Sequence, residues 1–389
     1  MDSLVLPGLL LVVPMALFSL LPASYTTLLD PTSGQVLISD NQIYASIAFC
    51  ICGIYSLLSW LLLRFPLWAP REGLKFDVQV VAHRGGKAVR IENTLSAFHQ
   101  GVADDADVLE LDVQLTKDGK VVVFHDRSLS HLTGVDGAIS DFDYSNLPDY
   151  IIQSHLSPEN VKTVQSLPHH DAFGIPLLDD VFARFPGKPI FIDLKIKSLV
   201  LVEKTCRLIQ KHDRQSITVW GSLPSRSTGN RCFAMDPSIP IMFSGFKILA
   251  LYFSYWFGLL PFLPLHESLL VTPNNIPLPF FNLRFNFLSS KLCSHLNKRG
   301  IAVMAFGVPS GALNDTASFV DARRHGVNSI CSDNVKLLTS WMEEVTCNAA
   351  ANEGGTVSDI GTGIGTESIK IKPKTKDTPA PHAEPKKTR

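Results

Sequence analysis

Charge imbalance is missing from this 389-residue chain: 35 Lys and Arg stand against 36 Asp and Glu, a formal net charge of -1. Without a surplus of cations, a basic stripe interleaved with aromatics or zinc-finger spacing, no nucleic-acid partner is expected. Cysteine is sparse. The seven are scattered, with Cys50 and Cys52 inside an apolar run, so neither a disulfide framework nor a zinc knuckle is indicated. They are expected to be reduced packing residues. Ionisable residues are absent from the middle of the long apolar runs, which argues against a transporter or channel. The Asn-x-Thr sequon at Asn314 carries little weight, because glycosylation also needs lumenal exposure.

What the chain does have is long uncharged stretches. Residues 4–23 and 43–63 each approach the roughly 20 residues that a helix needs to cross a bilayer. The second is the firmer span: Tyr44, Trp60 and Trp68 sit near its ends, where amphipathic rings favour the interface, and Gly53 and Ser56 suit close helix contact. The first holds Pro7 and Pro14 and has no basic residue before it, unlike a standard secretory signal. Arg64, Arg71 and Lys75 follow the second run, whereas the link between the runs has neither Lys nor Arg. The positive-inside bias therefore puts residue 64 onward in the cytoplasm. The expectation is an integral membrane protein, anchored within residues 1–75 by one or two transmembrane helices. Its catalytic domain would be cytoplasmic, on an endomembrane such as the endoplasmic reticulum. Residues 350–389, rich in Gly, Thr, Lys and Pro, are expected to form a disordered tail.

In between, short β-branched runs alternate with helix-like stretches, the pattern of parallel strands joined by crossover helices. Strands are expected at 78–82, 108–115, 121–124, 190–196, 217–220, 240–243, 301–306 and 329–331. Helices are expected at 94–103, with Asn93 as N-cap, and at 178–185, 199–211, 289–299 and 315–324. Eight strands point to an α/β fold, a TIM (β/α)8 barrel over residues 76–345, with one degenerate unit where a turn at Asp118 and Gly119 replaces a helix. Residues 248–265 carry no charge. If they crossed the membrane once, the last strands would lie on the opposite side from the first six, which one barrel forbids. They are expected to dip into or lie on the bilayer, within an apolar insertion at 246–288.

The informative ionisable residues fall at strand ends. His83 and Arg84 end the first expected strand, Glu110 and Asp112 sit on the second, His125 and Asp126 end the third, and Asp193 and Lys195 sit on the fourth. C-terminal strand ends form the active face of such a barrel, and alternation puts Glu110 with Asp112, and Asp193 with Lys195, on shared faces. Three carboxylates together are costly to bury without a cation. A hard divalent ion, Mg²⁺ or Ca²⁺, is the economical answer, and a bare ion-pair network with Lys195 and Arg84 is the alternative. His83 and His125 beside carboxylates suit acid and base work near neutral pH, and Arg84 suits phosphate oxygens. Together the parts fit phosphodiester cleavage.

At this point the stretches AHRGGKAVRIENTLSAF and LELDVQLTKDGKVVVFHD, followed by IPLLDDVFARFP, FIDLKI, ITVWG, IPIMFS and HGVNSICSD, resemble the signature blocks of glycerophosphodiester phosphodiesterases. The likeness spans residues 78–340 and is nearest to the membrane-anchored, lysophospholipase D-like branch. It implies a TIM barrel that releases a headgroup alcohol from a lysophospholipid, leaving lysophosphatidic acid. It also implies His83 and His125 as the acid-base pair, and Glu110, Asp112 and Asp193 as metal ligands. Arg84 and Lys195 would bind phosphate, with Glu92 in support. One departure falls on the seventh strand, which reads VMAFGV and puts Phe306 and Val308 where the family has a Trp and an Asn. Two other outcomes stay open: hydrolysis of soluble glycerophosphodiesters to glycerol 3-phosphate, and a catalytically impaired, lipid-binding scaffold.

Overall fold

The computed structural model describes residues 27–29, 32–33, 36–68, 70, 72–278, 283–307 and 312–353. The apolar run at 4–23 and the tail from residue 354 lie outside the described residues. The chain divides into two compact units, Met1–Thr339 and Ser340–Arg389. The first holds the barrel, and the described residues of the second are helical.

Near the N-terminus, β1 (Thr27–Leu29) and β2 (Val36–Ser39) pair antiparallel. The next six strands are β3 (Val80–Ala82), β4 (Val108–Leu115), β5 (Val121–Val123), β6 (Ile190–Leu194), β7 (Thr218–Gly221) and β8 (Leu269–Pro273). A hairpin of β9 (Asn275–Leu278) and β10 (Leu283–Asn286) follows, and then β11 (Ala302–Phe306) and β12 (Ser329–Ser332). Neighbours in the order β7-β6-β4-β3-β12-β11-β8 pair in parallel. Parallel bridges from Trp220 to Ile241 and from Met242 to Leu269 place residues 241–242 between β7 and β8. Eight staves thus run around a nearly closed, TIM-barrel-like ring.

Two strand expectations need correction. The run at 121–124 is not a stave: β5 folds back on β4 as an antiparallel hairpin over the 118–119 turn, because so short a link cannot supply the crossover a parallel partner requires. The stave that replaces it is β8, which lies inside the stretch read as an apolar insertion and pairs along its length with β11. Its sequence, LLVTP, follows a polar break at His266, Glu267 and Ser268, but five residues ending in a proline are a weak strand signal beside so long an apolar stretch.

The apolar stretch that precedes β8 is mostly one short helix. Gly245–Trp256 spans 12 residues, too few to cross a bilayer. Ile248, Leu251, Tyr252 and Tyr255 turn inward, while Phe246, Leu249 and Phe253 stay exposed. The Tyr252 hydroxyl meets Thr272 Oγ1 at 2.6 Å, tying the helix to β8. Beside it runs Asp40–Arg64, whose Ile43–Arg64 part is a 22-residue helix long and apolar enough to cross a membrane. Ser59 Oγ donates to the Gly258 carbonyl at 2.8 Å, and the Tyr55 ring stacks on Phe262 at 6.1 Å between centroids.

Residues between β5 and β6 build a small helical cover with a core of its own. Phe124, Leu129, Leu132, Ile139, Tyr150 and Val164 are among its buried members. Across one cleft this cover faces the residues that follow β3 and β12.

Candidate active site

Every second residue of a stave faces the barrel interior. Following those positions toward the C-terminal ends leads out of hydrocarbon and into charge. Val81, Val108, Phe191 and Cys331 belong to the apolar interior. Two residues further along each strand stand His83, Glu110, Asp193 and Asp333, with Asp112 next above Glu110. His83, Arg84, Glu110, Asp112, His125, Asp193 and Lys195 line one cavity of about 150 Å³ at this end. The structure therefore brings together the residues that the sequence singles out, His125 included, although its strand is not a stave. Glu92 joins through Arg84, whose Nη1 lies 2.8 Å from Glu92 Oε1.

Arg84 is held in an unusual backbone state. Its φ is 49°, and Gly85 and Gly86 follow at 86° and 97°. The left-handed region costs a residue with a side chain about 1–2 kcal/mol, and the return is a backbone N–H aimed at Glu110 Oε2 at 2.8 Å. Glycine is required next, since a Cβ on Gly85 would lie 2.8 Å from the Ala97 carbonyl carbon. Asn93 is not the N-cap expected of it. Thr94 caps Leu95–Ala103 by accepting from the Ala97 amide, while Asn93, at φ 58°, donates from Nδ2 to Asp112 Oδ2 at 3.1 Å. The cap moves one residue because the Asn93 carboxamide is engaged at the mouth.

The cations and carboxylates interlock. Lys195 Nζ lies 2.8 Å from Asp112 Oδ1 and 2.7 Å from Asp193 Oδ2, and Arg84 Nε lies 3.5 Å from Asp112 Oδ2. Burial opposes the Lys195 charge, but Asp112, Asp193 and Glu110 together overcome it and hold the group above the ordinary lysine range. Asp112 is likewise disfavoured by burial yet held down by Lys195 and Arg84. Glu110 goes the other way: burial, and then the charge of Asp112, push it well above the carboxylate range. It is a carboxyl short of positive charge.

That deficit bears on the expected ion. Glu110, Asp112 and Asp193 form an all-oxygen, buried donor set whose chemistry fits a hard divalent cation. Among the described residues, no group of three such side chains is gathered closely enough to hold an ion; Lys195 stands between Asp112 and Asp193. The donor chemistry fits such an ion, and Lys195 neutralises part of the cluster's charge.

Each histidine has a carboxylate behind it. His83 Nδ1 is 2.6 Å from Asp333 Oδ1, and Asp333 Oδ2 accepts from Asn314 Nδ2 at 2.8 Å. Burial lowers the His83 pKa below its ordinary 6.5, only partly offset by the bond to Asp333. Asp333 itself is raised by burial but held below its ordinary value by that same bond, so Nδ1 donates and Nε2 is left as an acceptor. His125 Nδ1 lies 2.6 Å from Asp126 Oδ1, and the bond from His125 leads the causes that lower Asp126. His131 Nδ1 stands 3.3 Å from the other Asp126 oxygen.

Sequence reasoning assigns no role to Asp333, Asp126 or Asn314. Asp333 was reachable by the alternation that flags Glu110 and Asp193, since it lies two residues past the inward Cys331. Asn314 had no such signal beyond its sequon, and both of its amide atoms are taken by Asp333.

The remaining walls differ in character. Leu223, Met242, Val271, Met304 and Phe306 complete the inner cavity, so the altered seventh stave presents hydrocarbon there. Val308 lies outside the described residues. Outside, an open cleft of about 730 Å³ runs between the β3 and β12 ends and the helical cover, lined in part by Lys87, Glu92, Asp126, Gln153 and Asn334. Arg84 lines both spaces.

A profile of the glycerophosphoryl diester phosphodiesterase family matches residues 83–244. Lysophospholipase D GDPD1 of Rattus norvegicus is 31% identical over 322 residues, covering 77% of this chain and 98% of that protein. Lysophospholipase D GDPD3 of Mus musculus is 32% identical over 311 residues, covering 75% and 90%. Among solved structures, a glycerophosphoryl diester phosphodiesterase from Silicibacter pomeroyi superposes with a TM-score of 0.53 at 17% identity, over 71% of this chain and 96% of that one. A phosphodiesterase from Oleispira antarctica, solved with its product sn-glycerol-3-phosphate, gives 0.51 at 21% identity, over 68% and 96%. At such identities the two structures establish the fold.

Proposed function

The chain belongs to the glycerophosphoryl diester phosphodiesterase family, in its lysophospholipase D-like branch, and is a phosphoric diester hydrolase; from that premise we propose that it hydrolyses lysophospholipids to lysophosphatidic acid and the headgroup alcohol. The observation that carries the lipid reading is the division of the inner mouth. Charged groups stand on one side, and Leu223, Met242, Val271 and Phe306 stand on the other. A phosphodiester with one hydrocarbon arm meets complementary surface on both.

In this reading the phosphate sits against the Arg84 guanidinium and the Lys195 ammonium, a planar fork and a point charge. His83, kept neutral by burial, takes a proton at Nε2 from the water that attacks phosphorus, while Asp333 holds its ring. His125, oriented by Asp126, gives a proton to the departing headgroup oxygen. Glu92 holds the Arg84 fork, and Asn93 fixes Asp112. Glu110, Asp112 and Asp193 would hold Mg²⁺ or Ca²⁺. When bound, such an ion offsets the charge that builds on the phosphate oxygens.

The proposed domain plan is an anchor in residues 1–75 and a catalytic barrel over 76–345; the tail expected from 350 begins no earlier than 354, because Val335–Glu353 is one helix. The helix Asp40–Arg64 is the anchor, and the exposed Phe246, Leu249 and Phe253 beside it lie at the membrane surface, with the barrel in the cytoplasm.

The test is lysophosphatidic acid formation by the full chain in detergent, with Mg²⁺, Ca²⁺ or EDTA, beside the matching deacylated glycerophosphodiesters. Metal-dependent turnover of the lysolipid is expected, with EDTA reducing it to background. Turnover of the deacylated substrate alone would move the assignment to soluble diesters. Lipid binding without turnover would make the chain a scaffold.

A further inference from the structure

We propose that the barrel mouth is itself seated on the membrane: the rim that follows β6, β7 and the 241–243 stave docks on an anionic leaflet, and a single-chain lipid passes from that leaflet into the inner cavity beside Leu223. The inference rests on the lysophospholipid reading above and extends the membrane contact from the anchor to the mouth. Helix Gly245–Trp256 joins the two places. Just past its C-terminal end, the Phe257 carbonyl accepts from the Tyr55 hydroxyl at 2.5 Å and the Gly258 carbonyl from Ser59 Oγ at 2.8 Å, both donors lying on the anchor helix. At its N-terminal end, Gly245 N donates at 2.8 Å to the carbonyl of Leu223, a wall of the inner cavity. Phe246, Leu249 and Phe253, three and four residues apart, form one exposed stripe along this helix of about 18 Å. An apolar stripe therefore leads from the anchor end of the helix to the mouth end.

The neighbouring rim continues it. Arg226 opens the helix after β7 and sets its guanidinium 4.8 Å over the Phe246 ring. Leu199 and Val200 open the helix after β6 and are exposed as well. Ser222 Oγ donates to the Leu194 carbonyl at 2.8 Å and Leu223 N to Asp193 Oδ1 at 3.1 Å, which stitches the β7 end to the β6 end. Charge selects the occupant. Residues 196–202, 222–235 and 244–265 hold Lys197, Arg226, Arg231 and Lys247 and no Asp or Glu, although Glu267 neutralises Lys247. In the ring order, β12 stands opposite β7, and β3 opposite the 241–243 stave. The helical cover on that far side carries seven acidic residues over 126–175 against Arg127 and Lys162. An anionic leaflet attracts the first side and repels the second, and exposed apolar side chains beside cations match its interfacial layer.

The test places the full-length protein in phosphatidylcholine vesicles with and without phosphatidylserine. With Cys50→Ser, Cys52→Ser and Cys347→Ser as background, a fluorophore is attached through Leu199→Cys, through Phe246→Cys or, on the cover, through Ile151→Cys, and nitroxide-bearing lipids act as quenchers. With phosphatidylserine present, the labels at 199 and 246 should lose most of their emission and the label at 151 little; without it, the first two should recover. Quenching at 246 but not at 199 confines the contact to the helix and overturns the proposal. So does equal quenching at all three sites or in both vesicles, and so does quenching at neither rim site, which leaves the rim to a second copy or another protein. A kinetic arm uses Lys197→Ala with Arg226→Ala. It should raise KM for lysolipid in phosphatidylserine vesicles by about fivefold for each cation removed, the equivalent of about 1 kcal/mol near an anionic surface. Neither kcat nor turnover in neutral detergent micelles should change, and an unchanged KM in the vesicles overturns the proposal. Quenching needs no turnover, so the two readings separate: the expected quenching without lysolipid hydrolysis supports the docking and removes the lipid substrate, whereas hydrolysis without quenching keeps the substrate and removes the docking.

Discussion

The two imidazoles at the mouth are held in opposite ways. His83 is 6% exposed, and its carboxylate partner Asp333 lies 250 positions away in the chain. His125 takes the very next residue, Asp126, and both of those side chains are 30% exposed. The first pair exists only when the ring closes and β12 registers against β3, with Ser332 opposite Ala82. The second is a property of one loop. Nearly the same Nδ1-to-carboxylate contact is therefore a tertiary fact in one place and a local fact in the other. The buried pair is suited to hold a neutral base, and the open pair suits an acid that is reloaded from solvent.

That contrast predicts a ranked series. His83→Ala should have the largest effect, a loss of about a thousandfold in kcat measured as lysophosphatidic acid formation. Asp333→Asn should follow at about a hundredfold, because a dry site supplies no substitute to hold the ring. It should also move the pH profile. The acid limb of kcat/KM reports protonation of His83, whose lowered pKa puts that limb below 6.5 and keeps the base unprotonated at neutral pH. Since the bond to Asp333 works to raise that pKa, its removal should shift the limb to still lower pH. Asp126→Asn should cost least, under about tenfold, because water reaches a ring that is 30% exposed. Equal losses from the two Asn variants would break the contrast.

Much of this was legible in the sequence, for a physical reason. Inward positions recur every second residue along a stave, so Glu110, Asp112, Asp193 and Lys195 announce a shared face before any fold is known. The same rule reaches Asp333 from Cys331, but a lone Asp after a short strand carries no paired charge to draw notice. The stave count came to eight through two offsetting errors. Val121–Val123 has the composition of a stave, yet its link to β4 is too short for a crossover. Leu269–Pro273 is a stave of five residues that reads as part of the apolar insertion despite the polar break at His266, Glu267 and Ser268. Asn93 reads as a cap because its neighbour is the cap, and only the position of Asp112 explains why it is not.

The division of labour between the two histidines is the central claim, and a change of leaving group tests it most directly. On a lysophosphatidic acid ester of 4-nitrophenol, whose leaving group departs without a proton, His125→Ala should recover most of the activity it loses on a natural headgroup. His83→Ala should stay as impaired as before. Recovery in both variants, or in His83→Ala alone, would contradict the assignment of His83 as base and His125 as acid.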